Sequence, residues 1–204
     1  MHTSFDPQNF LQSKRMASRM TDEEFFDFCS ENELYRIERE TDGTVTMEPP
    51  VGVEGDYFKN EVYYAIRNWN DGQETFPGMA IGSNTRFVLP NGATRSPDAA
   101  WISFKRLEGC SREKMTKFLP LCPEFVVEIR SASEPLIKLQ AKMVEWVENG
   151  ALMAWLIDPD EKQALVFLKN GETVQVSSLE EKLSGEEVLP GFVFDLRSLK
   201  FPFF

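Results

Sequence analysis

The sequence predicts a mixed α/β fold, α+β in layout, with a mostly antiparallel central sheet, flanking helices and one parallel crossover. Three observations carry that expectation. Segments 54–70 and 135–149 repeat apolar residues at helical spacing. Two strongly apolar runs, 124–130 and 152–157, flank the second of these segments, which makes a β-α-β unit. Short runs rich in β-branched and aromatic residues sit on either side of Asp42-Gly43, Asn91-Gly92 and Asn170-Gly171, the turn chemistry of hairpins.

Taken in order, Thr21-Asp22-Glu23-Glu24 ahead of Phe25, Phe26 and Phe28 opens a helix with Thr21 as cap and Glu24 completing a capping box. Residues 35–39 and 44–47 form the first hairpin, which Pro49-Pro50 ends. On helix 54–70, Phe58, Val62, Ala65, Ile66 and Trp69 share a face. Short strands follow near 80–83 and 85–89, then Asn91-Gly92 turns into a strand over 95–104. The polar stretch 105–123 leaves room for a short helix near 111–118, and Pro123 opens strand 124–130. Helix 135–149 places Leu136, Leu139, Met143, Trp146 and Val147 on one side and stops at Asn149-Gly150. After strand 152–157, strands near 164–168 and 173–176 pair, and 185–194 is expected to return to the sheet.

A chain of 204 residues with 42% hydrophobic content suffices for a single domain, expected over 21–204 behind a polar leader at 1–20. No apolar run reaches membrane-span length, and three scattered cysteines without a CxxC pair point to a reducing cytoplasm. The one histidine, His2, sits at the terminus, which argues against a Ser-His-Asp triad, a His-based zinc site and a Cys-His nucleophile. Chemistry therefore falls to carboxylates and Lys. The net charge of −11 opposes nonspecific nucleic-acid binding, because phosphate contacts need Lys and Arg. A local basic rim of Arg86, Arg95, Lys105, Arg106 and Lys138 is the expectation that reconciles the two.

Four residues converge on one chemistry. Asp98 follows Pro97 at the start of the Ala-Ala-Trp-Ile run, and Glu128 interrupts Phe125–Ile129, so each is an acidic side chain in an apolar strand. Burying such a group is costly without a positive partner. Glu61 lies about 85° from the middle of the apolar face of its helix, and Lys142 flanks Leu139 and Trp146 on the later one, at about 100° per residue. Any one of them has an ordinary structural explanation. Together they read as a metal-dependent nuclease centre: carboxylates for Mg²⁺ or Mn²⁺, and an ammonium for the attacking water or the developing charge.

From about Met20 to Leu199 the chain resembles the Uma-two family of the PD-(D/E)XK restriction-endonuclease-like superfamily. The stretches that carry the likeness are TDEEFFDF from Thr21, NTRFVLPNGATRSPDAAW from Asn84, LCPEFVVEIRSAS from Leu121, LQAKMVEWVENGALMAWLIDP from Leu139 and LSGEEVLPGFVFDL from Leu183. The resemblance implies a four- or five-stranded mixed sheet flanked by helices, with Pro97-Asp98 as the PD element and Glu128 as the (D/E). Arg130 stands where the motif has Lys, and the family places its Lys on the next helix, at Lys142. Glu61 matches the acidic residue of the early helix. The implied activity is a Mg²⁺-dependent DNA endonuclease, with a catalytically weak or silent binding or regulatory module on the same fold as the alternative. A homodimer would let two sites reach two strands, and the apolar tail 201–204 is a candidate interface, with core capping an equal alternative.

Overall fold

The computed structural model describes residues 20–75, 77–132, 134–186 and 188–200. The expected leader, apart from Met20, and the tail 201–204 lie outside them. The chain divides into two compact units.

The first unit comprises Met1–Pro50, Arg86–Ser96 and Ser111–Leu121. Helix α1 (Asp22–Glu31) begins with the expected capping box, in which the Thr21 hydroxyl accepts from the Glu24 amide and the Glu24 carboxylate accepts from the Thr21 amide. Its inner face, Phe25 and Cys29, packs on Ile37 and Val45. Those two belong to β1 (Arg36–Arg39) and β2 (Val45–Glu48), an antiparallel hairpin. Gly43 takes φ of 84° in its turn, a conformation side chains resist. With β4 (Phe87–Val88) and β5 (Thr94–Arg95) they complete a four-stranded sheet in the order β2-β1-β5-β4.

The second unit comprises Val51–Thr85, Pro97–Cys110 and Cys122–Phe204. It contains α2 (Val53–Asp71), β3 (Gly78–Gly82), β6 (Ala99–Ser103), a single helical turn α3 (Phe104–Leu107) and β7 (Phe125–Ile129). The short helix α4 (Arg112–Met115) belongs to the first unit. The second unit continues with α5 (Leu136–Glu148), β8 (Met153–Asp158), β9 (Gln163–Leu168) and β10 (Thr173–Val176). The six strands order as β10-β9-β8-β7-β6-β3, and only β7 and β8 run parallel, joined by α5. β7 and β8 are buried throughout, as a central pair covered on both faces should be.

Alternation along β7 sorts its side chains between those faces. Phe125, Val127 and Ile129 share a core with Phe58, Val62 and Ile66 of α2. Glu128 points to the other face, where α5 lies.

Three expectations are corrected. The sheet has six strands rather than four or five. The expected strand over 95–104 is split: β5 and β6 belong to different sheets, separated by Ser96-Pro97, where proline lacks a ladder donor. The segment 185–194 does not rejoin the main sheet. Among the described residues β11 (Lys182–Ser184) and β12 (Val193–Asp195) pair with each other, and Phe192, Phe194 and Leu196 join the α2-side core.

Candidate functional site

The β6–β7 ladder runs out at one end with Ala99 opposite Val127. Asp98 directly precedes Ala99 and Glu128 directly follows Val127, so both carboxylates stand at this end of the strand pair. Both side chains are 1% exposed, and a buried carboxylate is costly without a positive partner. A cation meets each of them.

Asp98 is gripped by the backbone and by α2. Its amide donates to the Val127 carbonyl at 3.0 Å, and its Oδ2 accepts from the Ile129 amide at 2.7 Å. Its Oδ1 lies 2.8 Å from the Lys59 ammonium. Glu128 is held from the opposite face by α5. Its Oε1 lies 2.8 Å from the Lys142 ammonium and accepts from the Trp146 indole N–H at 3.2 Å. Lys59 and Lys142 keep 13% of their side chains exposed. Each stem runs beside an apolar stripe while its head reaches a carboxylate.

Lys59 is the residue the sequence reading missed. The buried residues of α2 are Phe58, Val62, Ile66 and Asn70, and at about 100° per residue Lys59 lies about 40° from their centre, with Glu61 about 120° away on the other flank. Counting the half-buried Ala65 and Trp69 as core shifted the expected face toward Glu61. Glu61 is half-buried, and the α2 residues that share a cleft with Asp98 are Lys59, Asn60 and Tyr63. That cleft, of about 250 Å³, is completed by Gly82, Ser83, Asn84 and Thr85. Among the described residues no three His, Cys, Asp or Glu side chains are grouped so as to hold a metal ion.

Arg130 takes a different post. Its guanidinium lies 2.7 Å from Asp158 Oδ2 and donates to the Glu134 carbonyl at 2.9 Å. The Asp158 bond raises its pKa further above its ordinary value. Arg130 thus ties the end of β7 to the end of β8 rather than serving Glu128.

The expected basic rim is corrected at three positions. Arg86 donates to the Ile37 and Tyr35 carbonyls, and burial lowers its pKa. Arg95 is buried against Glu40 and Glu38. Arg106 holds the Cys122 and Gly150 carbonyls and the Glu124 carboxylate. Only Lys105 and Lys138 of the five are exposed. The thiols give no alternative nucleophile in the core, since burial pushes Cys29 up to about 11 and Cys122 up to about 12.

Comparison with known proteins agrees with this architecture. Residues 22–197 match the protein-family model Uma2, described as "Putative restriction endonuclease". A solved structure from Anabaena variabilis ATCC 29413, described as "a putative nuclease belonging to DUF820", superposes with a TM-score of 0.67 at 17% identity, covering 80% of this chain and 88% of that one. At that identity the likeness establishes the fold, which is restriction-endonuclease-like. Among curated proteins no match is found.

Proposed function

The chain belongs to the Uma2 family, and on that footing we propose that it is a Mg²⁺- or Mn²⁺-dependent endonuclease that hydrolyses phosphodiester bonds in DNA. The observation that carries the reading is the pair of buried carboxylates at adjacent strand ends, each met by a lysine from a different helix. Such carboxylates are hard oxygen donors, and Mg²⁺ is commonly held by one or two carboxylates with waters and substrate phosphate filling the remaining positions. The donor set therefore fits, with Asp98 and Glu128 as the residues that would hold the ion. Glu61, on the far flank of α2, is proposed as an outer contributor acting through water.

When bound, the ion polarises the phosphoryl oxygen and acidifies a water. The chain supplies the rest. Lys142, held against Glu128, orients the attacking water and balances charge developing on the phosphate. Trp146 fixes the Glu128 carboxylate through its indole N–H, and the Ile129 amide fixes that of Asp98. Arg130 holds the β7 terminus through Asp158.

Three free cysteines suit a reducing compartment, and we place the protein in the cytoplasm. No helix among the described residues is long and apolar enough to cross a membrane. A silent binding or regulatory module is the second reading. It is favoured by the net charge of −11 and by the internal engagement of Arg86, Arg95 and Arg106. Incubating the protein with supercoiled and linear duplex DNA, with and without Mg²⁺ or Mn²⁺, separates the two. The nuclease reading expects metal-dependent cleavage that Glu128→Ala removes. Binding without cleavage in either metal would support the module.

A further inference from the structure

Lys59 has no part in the motif that the family resemblance follows, yet it sits on Asp98 at 2.8 Å in a cleft that both line. Its neighbours there, Asn60, Tyr63, Ser83, Asn84 and Thr85, are neutral polar residues, so among the described residues Lys59 and Asp98 are the charged groups of the cleft wall. A volume of about 250 Å³ holds about eight waters at about 30 Å³ each, enough for a phosphate group and part of a sugar. While Asp98 holds Lys59, the cleft wall carries one anion and one cation and is neutral. A divalent cation on the Asp98 carboxylate would change that balance, because it would compete with the ammonium for the carboxylate and repel it. The four-carbon stem of Lys59 lets the head swing away, and the remaining cleft wall offers it no other carboxylate.

We propose that Lys59 is a second substrate-binding cation of this site. It holds Asp98 before metal binds, then turns into the cleft to grip a phosphate oxygen of the DNA strand once the metal has taken the carboxylate. The inference rests on the nuclease reading above and adds to it a residue with two alternating partners. Lysine suits the exchange because its ammonium is a compact charge with movable donors, whereas an arginine would hold the carboxylate with a planar fork.

Two binding measurements without turnover test it. One is calorimetric titration with Mn²⁺ alone, and the other is anisotropy of a labelled short duplex in Ca²⁺. Lys59→Met keeps the stem and removes the charge. It is expected to bind Mn²⁺ several-fold tighter, since no ammonium must be displaced, and to bind the duplex about tenfold more weakly, the size of one charge-assisted contact. Its salt dependence should lose about one unit of log–log slope, as for one phosphate contact removed. Lys59→Arg keeps the buried carboxylate paired and serves if the first variant does not fold, as judged by circular dichroism. It should bind Mn²⁺ several-fold more weakly than the wild type and also bind the duplex more weakly, since its guanidinium stays on the carboxylate. Unchanged Mn²⁺ affinity in the folded variants, or unchanged duplex affinity in Lys59→Met, overturns the role of Lys59 while leaving the nuclease reading in place. A wild-type protein that binds no Mn²⁺ overturns both.

Discussion

Asp98 and Glu128 stand at one end of one strand pair and are equally buried, yet they are embedded in opposite ways. Asp98 is fixed by main chain, through the Ile129 amide, and faces a cleft with Lys59 from α2. Glu128 is fixed by side chains, Lys142 and Trp146 of α5, and does not line that cleft. A backbone donor cannot swing away, so Asp98 is the rigid member, and it lines a cleft. The position of Glu128 depends on how α5 packs. On the proposed nuclease reading, this sheet end would divide its labour between the helices, with the α2 side admitting ligand and the α5 side setting the geometry of the reacting group.

The largest expected effect comes from breaking the α5 side. Lys142→Ala should reduce cleavage by about 10²-fold or more, the scale of a lost charge stabiliser, while Mn²⁺ binding persists. It also leaves Glu128 buried without its cation, a cost of about 3–5 kcal/mol for breaking a buried pair. Thermal melting should show that loss, and added Mn²⁺ should recover part of it through binding to the folded state. A cleavage rate equal to the wild type would return the catalytic role to Arg130. Trp146→Phe is gentler. It keeps an aromatic ring but removes the indole donor to Glu128, and about a tenfold fall in cleavage is expected, as for a lost hydrogen bond to a charged group. The comparison sharpens if this variant leaves Asp98-side duplex binding unchanged.

Arg130→Lys tests whether the X-K position is structural. Asp158 keeps a cation but loses the guanidinium fork, so melting temperature should fall while cleavage stays within about threefold of wild type. The smallest effect is assigned to Glu61→Gln, on the far flank of α2 from Lys59. Cleavage within about twofold is expected for a half-exposed charge acting through water. A loss as large as that of Lys142→Ala would move Glu61 into direct contact with the ion.

Much of the fold could be read directly. The Thr21 capping box, the Gly43 turn and the two amphipathic helices are local signals, and each stands where its periodicity or turn chemistry put it. The β-α-β crossover followed from two apolar runs around a helix too long for a hairpin turn. Strand pairing at a distance was less legible. Nothing in residues 185–194 distinguishes a strand that joins the main sheet from one that pairs with β11 alone, because the same alternation serves both. At the candidate site, the proximity of Lys142 to Glu128 was anticipated from helical phase. The same phase applied to α2 would have found Lys59, but the expectation of a metal-binding carboxylate on that helix turned attention to Glu61. The arginines were misjudged because sequence shows their charge and not the backbone carbonyls that Arg86 and Arg106 satisfy.

Calorimetric titration with Mn²⁺ tests the central claim most directly, that Asp98 and Glu128 hold one divalent cation together. The wild type should bind a single ion per chain. Asp98→Asn and Glu128→Gln should each weaken binding by about tenfold or more, as expected when one of two oxygen donors loses its charge. Affinity unchanged in both variants would contradict the account.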